Sequence, residues 1–187
     1  TGSIYDKDGS FVTHLVGSEN RTLVALEELP QHVVDAFLAA EDLRFYKHPG
    51  FDIVRIGGAV ISNLRSGGYA QGASTITQQL VKLSHLSSQK TIARKLEEIW
   101  LALQLEQQFT KEEILEMYLN YIYFGDGAYG VQAAAQAVYG VDAKALSPAQ
   151  AASLAAAIKA PSAYGITSRP DANRERRTYI LNVMRQE

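Results

Sequence analysis

Glu41 lies at a position where a helical protein can place a general acid or a general base. Residues 30–40 predict a helix whose apolar face includes Val34 and Phe37. Glu41 follows Phe37 by one helical turn, so it continues this face until the Pro49-Gly50 pair ends the segment. Burial of a carboxyl group raises its pKa, which suits a general acid or base that works near neutral pH. The alternative is a glutamate at a helix end whose side chain bends out into solvent.

Charged residues of both signs follow on a later segment. Arg94, Lys95 and Glu98 share one side of a helix predicted over residues 91–107. The other side is apolar and is predicted to be buried, and its residues are Ile92, Leu96, Ile99 and Leu103. Arg94 and Glu98 form either a solvated i, i+4 ion pair or a second carboxylate that neighbouring cations keep ionised. Two carboxylates in different environments are typical of glycosyl chemistry.

In the segment 72–82, small residues precede and begin a predicted helix. The unpaired N–H groups and the dipole of such a helix start attract an anion. Gln78 and Gln79 add neutral donors, and Lys82 and Lys90 add positive charge that suits a diphosphate. An ordinary capped helix with a polar face explains the same pattern.

The elements that position these residues are predicted to be mainly α-helical, after a short N-terminal β-hairpin over residues 4–15 with its turn at Asp8-Gly9. Capping-box patterns at Thr110-x-x-Glu113 and Ser147-x-x-Gln150 predict two helix starts. The segment 52–65 is apolar around much of its circumference, so it either packs on several sides or meets a lipid-like surface. Further helices are predicted from residue 74, over 131–139 and over 174–185.

Composition bounds the function classes. The chain has 187 residues, of which 47% are hydrophobic and 20% charged, which is typical of one folded domain. A net charge of −2 gives no reason to expect a nucleic-acid partner. The absence of cysteine excludes disulfides and thiolate metal sites, and the four histidines lack the spacing of a dedicated metal site. Because the chain begins without Met, we expect an excised domain whose membrane anchor lay upstream.

Five segments in chain order resemble the motifs of the peptidoglycan glycosyltransferase (transglycosylase) domain of class A penicillin-binding proteins and monofunctional glycosyltransferases. The segments are Glu41-Asp42-x-x-Phe45-x-x-His48-x-Gly50, Gly72-Ala73-Ser74-Thr75-Ile76-Thr77-Gln78-Gln79-Leu80-x-Lys82, Arg94-Lys95-x-x-Glu98, Tyr118-Leu119-Asn120-x-x-Tyr123-x-Gly125-x-x-x-x-Gly130 and Ala151-Ala152-x-Leu154-Ala155. Each segment alone is a modest signal, and their common order makes the resemblance specific.

The resemblance implies one domain over residues 1–187, with a lysozyme-like helical head and a smaller membrane-proximal jaw at roughly 51–71. It implies that Glu41 is the base that deprotonates the acceptor 4-hydroxyl of lipid II and that Glu98 is a second essential carboxylate. The residues that it assigns to substrate binding are Asp42, Ser74, Gln78, Gln79, Lys82, Lys90, Arg94, Lys95 and Asn120. The residues that it assigns to structural motifs are Phe45, His48, Gly50, Gly72, Gly125 and Gly130.

The resemblance also implies partners and a location. The partners are lipid II, the growing glycan chain, the membrane surface through the jaw, and other cell-wall synthesis proteins, at the extracytoplasmic face of the bacterial cytoplasmic membrane. Mg²⁺ or Mn²⁺ assists many members, so a divalent cation is expected here, without an organic cofactor. A lysozyme-like hydrolase or lytic transglycosylase is the alternative enzyme, but it has no need of a cation cluster for a diphosphate. A non-catalytic wall- or lipid-binding module would not need both carboxylates.

Overall fold

The computed structural model describes residues 2–5, 11–15, 22–57, 74–85 and 91–186. Strands β1 (Gly2–Tyr5) and β2 (Phe11–Leu15) pair antiparallel, with Gly2 opposite Leu15. The predicted N-terminal hairpin is thereby confirmed, and its turn at Asp8-Gly9 lies outside the described residues. Most of the predicted jaw, together with Gly72 and Lys90, also lies outside them.

Helices make up most of the described chain, as predicted. They are α1 (Gln31–Glu41), α2 (Ile76–His85), α3 (Ile92–Gln108), α4 (Lys111–Tyr121), α5 (Val131–Tyr139), α6 (Pro148–Ile158), α7 (Pro161–Tyr164) and α8 (Pro170–Gln186). Of the helix predicted over 52–65, the structure describes helical residues 53–57. Within the described ranges, no helix has the length and hydropathy of a membrane span.

Local hydrogen bonds fix where two of these helices begin. At α4, the Thr110 hydroxyl accepts from the Glu113 N–H at 3.2 Å, and the Glu113 carboxylate accepts from the Thr110 N–H at 2.8 Å. Ser147 and Gln150 exchange the same pair of bonds at α6. Both predicted capping boxes are confirmed, because each satisfies donors that a helix start leaves open. Helix α8 begins earlier than predicted, at Pro170, since proline suits a first turn in which its missing N–H is not needed.

Helix α6 forms the centre of the fold. Every side chain from Ala151 to Ile158 is buried, and α6 packs against α1 and α8. The alanines let the neighbouring backbones approach closely. Asn173 of α8 donates to the carbonyls of Ser153 and Tyr164 at 3.0 and 2.8 Å, which ties α8 to α6. Helix α1 packs against both α6 and α8, and its last residue is Glu41.

Helix α3 is oriented opposite to the prediction. Its buried residues are Glu98, Ala102 and Leu105, whereas Ile92 and Leu96 of the predicted buried stripe are 83% and 62% exposed. The stripe correctly marks one face of the helix, but the charged face is the one that packs against α2, where Glu98 finds hydrogen-bond partners. The prediction of the buried face was therefore wrong.

A second hairpin escaped the sequence analysis. Strands β3 (Tyr123–Gly125) and β4 (Ala128–Tyr129) pair antiparallel around Asp126 and Gly127. Both turn residues have positive φ, 49° and 76°, as a two-residue type I′ turn requires. The Asp-Gly pair was the available signal, but strands this short leave no alternating pattern to recognise.

Candidate active site

Glu41 lines a cleft of about 840 Å³. One part of its lining comes from α2 and the residue before it, through Ser74, Gln79 and Lys82. Another part comes from α7 and α8, through Tyr164 and Arg176 among others. The cleft is large enough for a sugar-sized ligand and brings cations close to a buried carboxylate.

The Glu41 carboxylate is held on both oxygens. Its side chain is 11% exposed. Oε1 lies 3.1 Å from Nη2 of Arg176, and Oε2 accepts from the Gln79 amide at 3.0 Å. The main-chain carbonyl of Glu41 accepts from Arg55 at 2.6 Å. Burial raises the pKa of Glu41 above its ordinary value, although Gln79, Arg176 and Arg55 all oppose the rise.

Tyr118 fixes the orientation of Gln79. Its hydroxyl donates to Oε1 of Gln79 at 3.1 Å, so the amide nitrogen of Gln79 must be the atom that faces Glu41. Burial and the nearby Glu41 and Asp42 carboxylates raise the pKa of Tyr118 well above its ordinary value. The phenol therefore remains a donor at neutral pH.

Glu98 lies in a separate buried cluster that reaches the cleft through Ser74. Lys95 Nζ contacts Glu98 Oε1 at 2.5 Å and Ser74 Oγ at 2.7 Å, and Ser74 lines the cleft. Gln78 also donates to Glu98, at 3.2 Å, and Arg94 Nη2 lies 3.8 Å from its Oε2. The predicted second carboxylate is thus buried among cations.

Arg94 has hydrogen-bond donors that are not used within the described residues. Its Nε and Nη1 are buried and find no acceptor among the described residues. Because buried polar groups are nearly always hydrogen-bonded, a guanidinium in this state is suited to an anionic ligand. Lys82 is exposed in the cleft and forms no ion pair within the described ranges.

Asp42 occupies the helix N-terminus that was predicted to bind an anion. It is 1% exposed, and its Oδ2 accepts from the N–H of Ile76, the first residue of α2, at 3.0 Å. Thr75 and Gln78 satisfy each other's backbone N–H groups at 3.0 and 3.1 Å. The structure therefore favours the alternative of a helix start that the protein's own groups cap, and anion binding here stays a prediction.

Asp42 also organises the turn that follows α1. His48 Nε2 lies 2.8 Å from Asp42 Oδ2, and His48 Nδ1 accepts from the Gly50 N–H at 3.2 Å, so the Nε2 proton points at the carboxylate. Gly50 has φ of 113°, and a Cβ there would approach the Ala102 carbonyl oxygen to 2.9 Å. Phe45 is fully buried beneath this turn.

Gln78 and Asn120 do not line the cleft, although both were predicted to bind substrate. The Gln78 side chain is 1% exposed and is committed to Thr75 and Glu98. The Asn120 side chain accepts from the Val24 N–H and donates to the Val24 and Glu116 carbonyls, each at 2.9 Å. We therefore give Asp42, Gln78 and Asn120 structural roles in place of the predicted contacts with substrate.

The remaining motif glycines serve close packing and turns. Gly130 has φ of 84°, and a Cβ there would lie 2.5 Å from the Asn120 carbonyl oxygen. Gly125, also at positive φ, lies in the β3–β4 hairpin beside Pro161.

Two arginines of the site were missed in the sequence. Arg176 lies 135 residues from Glu41, in a helix whose many charges are typical of a solvated surface. Only the packing of α8 against α1 brings it to the carboxylate. Arg55 had a weak signal, since it is a cation within an apolar helical segment.

Comparisons with known proteins show which family the chain belongs to. A family model described as Transglycosylase matches residues 8–185. The chain is 49% identical to penicillin-binding protein 1A/1B of Bacillus subtilis over 100% of its length and 20% of the relative's. It is 47% identical to penicillin-binding protein 1A of Streptococcus oralis over 99% of its length and 29% of the relative's. The chain thus spans less than a third of these relatives.

A solved structure of a penicillin-binding protein also matches this chain. The crystal structure of penicillin-binding protein 1A from Haemophilus influenzae matches 97% of this chain and 17% of its own, at 25% identity and a TM-score of 0.50. The predicted mainly α, lysozyme-like class of fold is confirmed by the helical architecture together with this match. The chain therefore belongs to the transglycosylase family, as a domain of the kind found in class A penicillin-binding proteins.

Proposed function

We propose that the domain is a processive, inverting glycosyltransferase that polymerises lipid II into β-1,4-linked glycan strands and releases undecaprenyl diphosphate. The observation that carries the proposal is the buried Glu41 carboxylate in a cleft that also holds Lys82 and Ser74, with Lys95 and Glu98 behind Ser74. A base and an anion-binding group thus lie in one cavity, as this reaction requires.

Glu41 is the proposed general base. It takes the proton from the 4-hydroxyl of the acceptor sugar as that oxygen forms a bond to the anomeric carbon of the donor chain. The bond between the anomeric carbon and the diphosphate oxygen breaks, and its electron pair leaves with undecaprenyl diphosphate. The raised pKa of Glu41 makes it a better base than an exposed glutamate, while Arg176 and Gln79 favour its ionised form.

Lys82, Arg94 and Lys95 are the proposed diphosphate binders. Positive charge fixed near the leaving group stabilises the negative charge that develops as the bond breaks. The buried, unbonded Nε and Nη1 of Arg94 support this role. Glu98 holds Lys95 in place at 2.5 Å, so we assign it to ordering the cations. Lys90, a predicted member of the group, lies outside the described residues.

The described carboxylates do not fit a dedicated divalent-cation site. Among the described residues, no group of three or more His, Asp or Glu side chains is arranged to hold a metal ion. Glu41 and Glu98 are each already paired with a cationic side chain, which opposes a metal at the same oxygens. Assistance by Mg²⁺ or Mn²⁺ stays a prediction, and a titration of either ion in the polymerisation assay tests it.

Contact with the outer surface of the cytoplasmic membrane is part of the proposal. Ile53 and Val54, at the start of the predicted jaw, are 71% and 57% exposed. The outward face of α3 adds the exposed Ile92, Leu96 and Trp100. Exposed apolar side chains near a cleft suit a substrate that is anchored in lipid. Binding of the wall-synthesis machinery stays a prediction without support from the described residues.

The test is conversion of purified lipid II to uncleaved glycan polymer in detergent or bilayers. We expect Glu41→Gln to lower the rate by about 10²–10⁴-fold, the usual contribution of a general base. Glu97→Gln is the matched control, since Glu97 neighbours Glu98 but is exposed. Polymerisation by Glu41→Gln at the wild-type rate would remove Glu41 as the base. Release of muropeptides from mature peptidoglycan would instead identify a hydrolase, and binding of lipid II without turnover a binding module.

A further inference from the structure

We propose that Arg176 is a positioning residue that holds the Glu41 carboxylate ionised and oriented toward the cleft. The inference rests on the proposed function, because it concerns the base of that reaction. No motif of the sequence analysis includes Arg176, and it reaches Glu41 from the far end of the chain.

Three contacts fix the Arg176 guanidinium. Nη2 donates to Glu41 Oε1 at 3.1 Å and to the Ala40 carbonyl at 3.3 Å. The guanidinium carbon also lies 5.5 Å from the centre of the Tyr164 ring, within the range of a cation–π contact. The Ala40 carbonyl belongs to the last turn of α1, where a cation is favoured by the helix dipole. These contacts hold the arginine in place in the absence of substrate.

The burial of Arg176 argues against an incidental surface pair. Its side chain is 14% exposed and that of Glu41 is 11% exposed, so solvent screens the pair little. The Nε of Arg176 is buried without an acceptor among the described residues. A buried charge with an unmet donor is costly, and a cost of this kind is often found at functional sites.

Gln79 holds the carboxylate from the other side. Its amide donates to Glu41 Oε2 at 3.0 Å, so the two oxygens are bound by residues from α8 and α2. The carboxylate is thereby restricted to one orientation, and small misplacements of a reacting group can cost up to about 10²-fold in rate.

Several ionisable groups besides Arg176 face Glu41. Arg55 from residues 53–57 and Tyr118 from α4 interact with it electrostatically, and Lys82 from α2 and Lys159 after α6 line the same cleft. Burial raises the pKa of Glu41, while Arg176 lowers it both by its charge and by its hydrogen bond. Loss of Arg176 should therefore raise the pKa of Glu41 further, since Gln79 and Arg55 alone would oppose the burial.

The first experiment is the pH profile of lipid II polymerisation. For Arg176→Met, we expect kcat at neutral pH to fall by about 10- to 100-fold, with little change in KM. The acidic limb of kcat/KM should move to higher pH, so that part of the loss is recovered as the pH rises. Arg176→Lys keeps the charge and should show a smaller displacement. Arg174→Met, on the exposed side of the same helix, is the matched control and should keep the wild-type profile.

The second experiment needs no activity. Unfolding free energies of wild type, Glu41→Gln, Arg176→Met and the double variant give the coupling between the two side chains. We expect a favourable coupling at neutral pH that declines as acid protonates Glu41. If wild type makes no polymer, the proposed function fails, and this coupling alone decides whether the ion pair holds the carboxylate.

Two results would overturn the inference. One is an absent coupling at neutral pH, which would mean that Arg176 does not hold Glu41. The other is a lowered polymerisation rate in Arg176→Met with an unmoved acidic limb and a loss of stability, which would mean that Arg176 only supports the fold.

Discussion

Replacement of Asn120 by alanine separates a structural role from a substrate contact. The Asn120 side chain joins α4 to the segment before α1 through Val24, which lies 96 residues away in sequence. Alanine removes the acceptor for the Val24 N–H and the donor for the Val24 carbonyl. Because Val24 is only 8% exposed, water cannot easily replace either partner.

The expected loss of stability follows from those two orphaned groups. A buried backbone group without a partner costs about 1–3 kcal/mol, so the two together cost about 2–6 kcal/mol. The third bond, to the Glu116 carbonyl, adds little, since a helix carbonyl has its own intrahelical donor. For a domain of this size each kcal/mol lowers Tm by about 2–4 °C, so a central cost of about 4 kcal/mol predicts a fall of about 8–16 °C.

Urea unfolding and thermal melts measure this loss, and lipid II kinetics below the melting range measure KM. Asn182→Ala, an exposed asparagine of α8, is the control and should change stability by less than about 0.5 kcal/mol. Asn120→Asp adds a pH test, because it places an anion against two carbonyl oxygens and should be least stable at neutral pH. A melting temperature within about 2 °C of wild type, together with a raised KM, would refute the structural role and restore the predicted substrate contact.

Three further predictions follow from the geometry. The pKa of Glu41 is raised in the folded protein, so protonation of Glu41 stabilises the fold below its unfolded pKa of 4.5, and this stabilisation is lost as the pH rises. In urea titrations, the stability of Glu41→Gln relative to wild type should therefore increase from pH 4 to pH 7. A stability difference that does not change with pH would contradict this prediction. Gly130→Ala should destabilise the domain more than Gly127→Ala, because both have positive φ but only Gly130 lies against backbone atoms; equal melting temperatures would show that the approach relaxes without cost. Trp100, the single tryptophan, should show a blue-shifted emission with phosphatidylglycerol vesicles, and Leu96→Ser should weaken that shift; an unchanged spectrum would count against membrane contact through α3.

Local patterns made the helix starts predictable. Thr110 with Glu113, and Ser147 with Gln150, satisfy each other within four residues, so no distant part of the chain is needed to place α4 and α6. The apolar face of α1 continues to Glu41, a pattern that left both burial and a bend into solvent open, and the structure shows the buried alternative.

Contacts between residues far apart in the chain determine the features that the sequence did not predict. The period of α3 marks an apolar face, but only the partners of Glu98 on α2 determine that the charged face is buried. Likewise, small residues before α2 are typical of an anion site, and only the return of the chain at Asp42 shows that a carboxylate already fills it. The contact of Arg176 with Glu41 could not be predicted for the same reason, because it depends on the packing of α8 and not on any neighbour in sequence.

The adjacent carboxylates Glu41 and Asp42 divide two tasks at the end of α1. Asp42 leaves the helix with φ of −157°, which directs its side chain into the core while Glu41 lines the cleft. Asp42 then binds the N-terminus of α2, and α2 carries Gln79 to the Glu41 carboxylate. Asp42 thus fixes helix α2, and Gln79 of this helix orients the Glu41 carboxylate. Loss of Asp42 would release both α2 and the His48 turn, so its effect on activity would follow from the position of Gln79 and require no contact with substrate.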